Sequence, residues 1–134
     1  MVYLIFILAV LYVALKTIFV ETKHDMEVIN GFSGSQSGWK LYGAISVALE
    51  LLVLCVLAGA FTGVLSGFIL FPVLALVYSI THDCGVSYRL TGGLFHLGDG
   101  AWDLKVTKIF QHGIMWFVFK LIWLIIISGI YFKI

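Results

Sequence analysis

Four stretches of this chain stay apolar for about as long as a bilayer is thick, and that feature limits its possible folds more than any other. A helix needs roughly 20 mostly apolar residues to cross about 30 Å of hydrocarbon. Residues 2–20 meet that length with Lys16 as their only charge. A cleaved leader would carry a basic region ahead of a shorter apolar core, so a retained first span is expected. Residues 41–80 are apolar apart from Glu50, and as one helix they would extend about 60 Å. The chain must therefore turn back within them. Gly59, Gly63 and Gly67 lower helix propensity there and place a turn between spans at 41–61 and 64–80. The same glycines repeat at a spacing that lets helix backbones approach closely, a second reading beside the turn. Pro72 falls inside the third span and is expected to kink it. The fourth span covers 113–132 and holds Lys120.

Composition agrees. The chain is 62% hydrophobic and 11% charged, against about 45–50% and about 25% for soluble domains. With a net charge of +1 it lacks the basic footprint of a nucleic-acid binder. Cys55 and Cys84 match neither a CxxC redox pair nor a zinc spacing. Free thiols are expected, not bonded to each other, because they fall at different depths. The expected fold class is an all-α membrane protein of one domain, with the lipid bilayer as its first partner.

Two polar connections remain, 21–40 and 82–112. The first is charged and rich in Gly and Ser. In the second, Trp102, Val106, Ile109 and Phe110 recur at helical spacing between Asp103, Lys105, Lys108 and Gln111. That pattern predicts an amphipathic helix from about Asp99, lying at the membrane interface before the fourth span. The whole second connection is expected to be ordered and packed on the bundle, because it is rich in Trp, Phe, Leu and Val. Lys23, Lys40, Arg89, Lys105 and Lys108 fall in these two connections, and Lys133 alone falls on the other side. The positive-inside rule then puts both connections in the cytoplasm and both chain ends outside.

Two scattered sets of residues resemble a family of small uncharacterised membrane proteins of bacteriophages and Bacteroidetes-type bacteria. The first set is Leu11 to Lys16, Lys23-His24, Asn30 and Trp39 to Ala44; the second is His82-Asp83, Arg89 to Gly92, Phe95 to Gly98 and Trp102-Asp103. At Lys40 the chain departs from the histidine that is frequent in the family. The resemblance implies a shared four-helix architecture and a bacterial inner membrane, and carries no activity.

Glu50 is the most informative single residue, since a carboxylate near the middle of a span must be paired, protonated or turned to a polar cavity. Lys120 lies at a similar depth, so an intramembrane Glu50–Lys120 ion pair is expected. A second cluster, His82, Asp83, Arg89, His96, Asp99 and Asp103, forms a candidate rim for a ligand or metal. Imidazole and carboxylate groups are metal ligands, yet no two of these sit at the spacing that presents both on one helical face. Asp99 also reads as a helix cap and Asp103 as a first-turn residue. All four histidines fall in connections or at helix ends, which argues against a haem held between helices. No cofactor is expected. The preferred function is helix packing with itself or with a membrane partner, without catalysis. A small oligomeric ion or proton channel or transporter using Glu50 comes second, and a metal-binding membrane enzyme third.

Overall fold

The computed structural model describes residues 1–22, 37–95 and 101–134, with side chains for all of these except 37–42 and 101–104. Among them the chain is helical throughout, without strands. Helix α1 covers Val2–Lys16 and continues as a π-helical turn over Thr17–Glu21. Helix α2 is Ser37–Thr62, α3 is Val64–Thr91, α4 is Ala101–Phe110 and α5 is Gly113–Lys133. Four of them include segments long and apolar enough to cross a membrane, at Val2–Glu21, Gly43–Thr62, Val64–Thr91 and Gly113–Lys133. Helices suit that setting because each satisfies its own backbone hydrogen bonds where no water is present.

Helix α3 is the axis of the bundle. It packs against α1, α2 and α5, while α2 and α5 do not pack on each other. Leu70, Val73 and Leu74 of α3 are fully buried, and Val13, Leu51, Cys55, Ala58, Val77 and Tyr131 close around them. Tyr3 stacks on Phe132 and Phe6 packs on Tyr131, so the two ends of the sequence meet at the same end of the bundle. Many large apolar side chains remain on the outside, among them Leu49, Val56, Phe68 and Ile125. In water such a surface would drive aggregation; in lipid it is the expected finish.

Glycines decide how α2 meets α3. Gly63 alone links them, with a φ of 109° that L side chains rarely adopt. A β-carbon on Gly67 would lie 2.7 Å from the Cys55 carbonyl oxygen and 3.0 Å from the Gly59 Cα. The three glycines thus serve as both turn and packing contact, the two readings open from their spacing. Gly85 does the same where α3 crosses the end of α1, since a β-carbon there would strike the Thr22 side chain.

The third helix departs from expectation. It runs through Pro72 and on to Thr91 instead of ending at residue 80, so His82, Asp83 and Arg89 are helical residues. Hydropathy falls after Ile80, but nothing there stops a helix. The stop is Gly92, left-handed at φ 75°, whose amide bonds the Tyr88 carbonyl at 2.8 Å. At 28 residues α3 is about 42 Å long, so its last turns outrun the hydrocarbon. Helix α2 likewise starts earlier than residue 41. Within the second connection α4 is present, its Val106 buried and its Phe110 against Trp116 and Phe119 of α5. Its predicted start near Asp99 lies outside the described residues. A reversal at Gln111, φ 60°, and His112 leads from α4 into α5.

Gly67→Val is expected to destabilise the bundle by about 1–3 kcal/mol, because the clash is with backbone that cannot rotate away. Gly43→Ala, with open space around it, should leave stability unchanged. Denaturant titration of helicity in mixed micelles reads both.

Candidate functional site

Two polar centres lie inside the bundle, one on each side of α3. The first joins α1 to α2. Tyr12 and Lys16 stand one helical turn apart on α1 and so share a face. The Tyr12 hydroxyl donates to Glu50 Oε1 at 2.8 Å, and Lys16 Nζ donates to Glu50 Oε2. Lys16 also pairs with Glu21 Oε1 at 3.3 Å, so one ammonium serves two carboxylates. Val13, Thr17, Val47, Leu51 and Tyr78 complete a small cleft around these groups. Thr17 spends its hydroxyl on the Val13 carbonyl of its own helix, at 2.6 Å. The Lys16, Glu21 and Glu50 side chains are between 24% and 29% exposed, so the centre is half-open.

The second centre joins α3 to α5. Ser79 and Asp83 are one turn apart on α3, and Trp116 and Lys120 are one turn apart on α5. Lys120 is 5% exposed; its ammonium donates to Asp83 and to Ser79 Oγ, the latter at 2.7 Å. It also lies 4.5 Å from the centre of the Trp116 ring, a cation–π contact. Trp116 Nε1 donates to the same Asp83 oxygen at 3.3 Å, and His82 Nδ1 is 3.9 Å from the other. Tyr78 ties the two centres together, lining the first cleft while its ring stacks on His82 with centroids 5.4 Å apart.

The chain matches no protein-family model, no curated protein and no solved structure.

The expected Glu50–Lys120 pair does not form. Each residue has a different counter-charge, Glu50 in Lys16 and Lys120 in Asp83. The reason lies in the packing: α3 stands between α2 and α5, which do not pack on each other. Nor do His82, Asp83 and Arg89 converge on one rim. Asp83 turns to α5, while Arg89 turns to α1 and donates from Nε to the Thr22 hydroxyl and from Nη2 to the Ile18 carbonyl, both at 3.2 Å. Six residues apart on one helix, they belong to different faces. The guanidinium there meets the negative end of the α1 backbone dipole. His96 and Asp99 lie outside the described residues, as does the Asp103 side chain on α4. Among the described residues no three or more His, Cys, Asp or Glu gather where a metal could sit. Cys55 and Cys84 are free thiols.

Sequence reasoning missed Tyr12 and Lys16 as partners of Glu50, and Asp83 as the partner of Lys120. The available signal was the repeated one-turn spacing of polar residues inside apolar helices, at 12 and 16, 79 and 83, and 116 and 120. A double-mutant cycle on Asp83→Asn and Lys120→Met is expected to give a coupling of about 0.5–3 kcal/mol, and a cycle on Glu50→Gln and Lys120→Met none. Unfolding midpoints of the single and double variants in one detergent supply both.

Proposed function

We propose that this chain is an integral membrane protein that works by packing its helices against another copy or another membrane protein, without catalysis. The observation that supports this reading is the use made of its intramembrane charges. Lys16 and Lys120 are each taken up by carboxylates of a neighbouring helix, so the groups able to move protons or ions are engaged in joining helices. Between that polar level and the end where Tyr3 meets Phe132, the centre of the bundle is filled by Leu70, Val73, Leu74 and Tyr131, each at most 1% exposed. What the chain offers outward is apolar helix surface, the kind that associates sideways in a bilayer through close packing.

The finer topology belongs to the same proposal. The connections 21–40 and 82–112 face the cytoplasm, both ends of the sequence face outward, and α4 lies in the interface with Lys105 and Lys108 toward headgroups. The exposure of those two lysines' flank of α4, where Ile109 is also uncovered, supports that placement. A bacterial inner membrane follows from the resemblance described above. A second reading, an oligomeric ion or proton channel around Glu50, draws on the half-open state of the first polar centre. It requires a route formed between copies, since the core of one chain is closed.

Cross-linking in native membranes is expected to trap a species containing this chain at a fixed multiple of its mass or joined to a constant partner. Vesicles reconstituted with purified protein should show no proton or cation flux above protein-free vesicles; flux that Glu50→Gln abolishes would put the second reading first. In a chain without native cysteines, Ser35→Cys should react with an impermeant maleimide only after the cytoplasmic face is opened, and Lys133→Cys should react from outside.

A further inference from the structure

The first polar centre has more negative charge than it can balance. Glu21 and Glu50 present two carboxylates to a single ammonium, Lys16. The groups that face Glu50 from the elements packed on α2 are Tyr12, Lys16 and Glu21 of α1 and Tyr78 of α3, and none of these adds a second positive charge. A net charge inside a span is costly. Binding one proton would bring the cluster to neutrality, and two carboxylates around one counter-ion take up that proton as a coupled unit.

The positions of the two carboxylates give the proton a structural consequence. Glu50 lies on α2 and Glu21 lies on the same helix line as Lys16, so only the bond to Glu50 holds two helices together. Helix α1 packs chiefly on α3 and only sparsely on α2. Lys16–Glu50 and Tyr12–Glu50 are the polar bonds recorded between the two. We propose that Glu50 is a proton-exchange site that works as a clasp: when a carboxylate oxygen of Glu50 binds a proton from water, Lys16 keeps its charge, pairs with Glu21 alone, and α1 is released from α2. The ligand is the proton itself, and the moving charge is an ammonium that swings between a partner across the helix gap and a partner one turn along its own helix. The neutral Glu50 keeps Tyr12 as a hydrogen-bond partner, so it is not left unsatisfied in the cleft. This inference rests on the reading of α1 and α2 as membrane spans, and it stands whichever partner the bundle packs against.

The test uses the full chain in lipid nanodiscs. Infrared difference spectra between neutral and acidic pH should show a protonated-carboxyl band that Glu50→Gln removes and Asp83→Asn leaves in place. Spin labels on Leu15→Cys and Leu49→Cys, in a chain with Cys55→Ala and Cys84→Ser, should report a distance between α1 and α2 that broadens on acidification. The Glu50→Gln chain should be broad at every pH. Glu21→Gln should move the transition to lower pH, because it removes both the repelling charge and the alternative seat for Lys16. A band that survives Glu50→Gln and is lost in Glu21→Gln would place the proton on the outer carboxylate and overturn the clasp. So would wild-type distances that ignore pH, a measurement that needs no change to the cluster. Unbroken helicity of all variants by circular dichroism keeps these outcomes apart from unfolding, and they are independent of whether copies cross-link.

Discussion

A charged side chain among apolar helices has to find its counter-charge inside the protein, and here that requirement joins α1 to α2 and α3 to α5. Apolar packing alone does not discriminate strongly among rotations of such helices, since lipid tails are as apolar as leucine. An ammonium against a carboxylate does discriminate, because breaking the pair strands a charge where solvation is poor. Lys120 shows this clearly. It is among the most buried polar residues of the bundle, and every approach to its ammonium is occupied, by Asp83, Ser79 and the Trp116 face.

The two centres differ in how completely they are closed. Around Lys120 charge is balanced one to one and an indole covers the ammonium. Around Lys16 two carboxylates compete, and a cleft remains. A balanced, covered pair fixes geometry; an unbalanced, half-open one can respond to its surroundings. The asymmetry also follows the packing: α3 presses closely on α5, whereas α1 and α2 touch little. Glycine supports the arrangement at the two places where backbones come nearest, Gly67 against Cys55 and Gly85 against Thr22. Larger residues there would push α3 out of reach of the groups it carries to its neighbours.

Tyr78 and His82 give the central helix a further role. With Tyr78 in the first cleft and His82 beside Asp83, α3 presents polar groups to both sides at nearly one level, while its more N-terminal residues are wholly apolar and buried. The result is a polar layer across the bundle rather than a line along it, which is why the geometry favours cohesion between helices over conduction through one chain.

Much of the architecture was legible from hydropathy alone. The four apolar stretches, the turn at Gly63 and the presence of a helix ahead of the fourth span all follow from local composition, because transfer into lipid is a sum over neighbouring residues and a turn depends on a few backbone angles. The end of α3 was not legible in that way, since a fall in hydropathy marks where a membrane ends and not where a helix does; only Gly92 ends it. Nor was the pairing of charges. Depth along a span can be counted from the sequence, and by depth Glu50 and Lys120 were suited to each other. Which faces meet depends on the rotation and order of the helices, and the tertiary structure alone decided these by setting α3 between α2 and α5, so that Glu50 reached Lys16 and Lys120 reached Asp83.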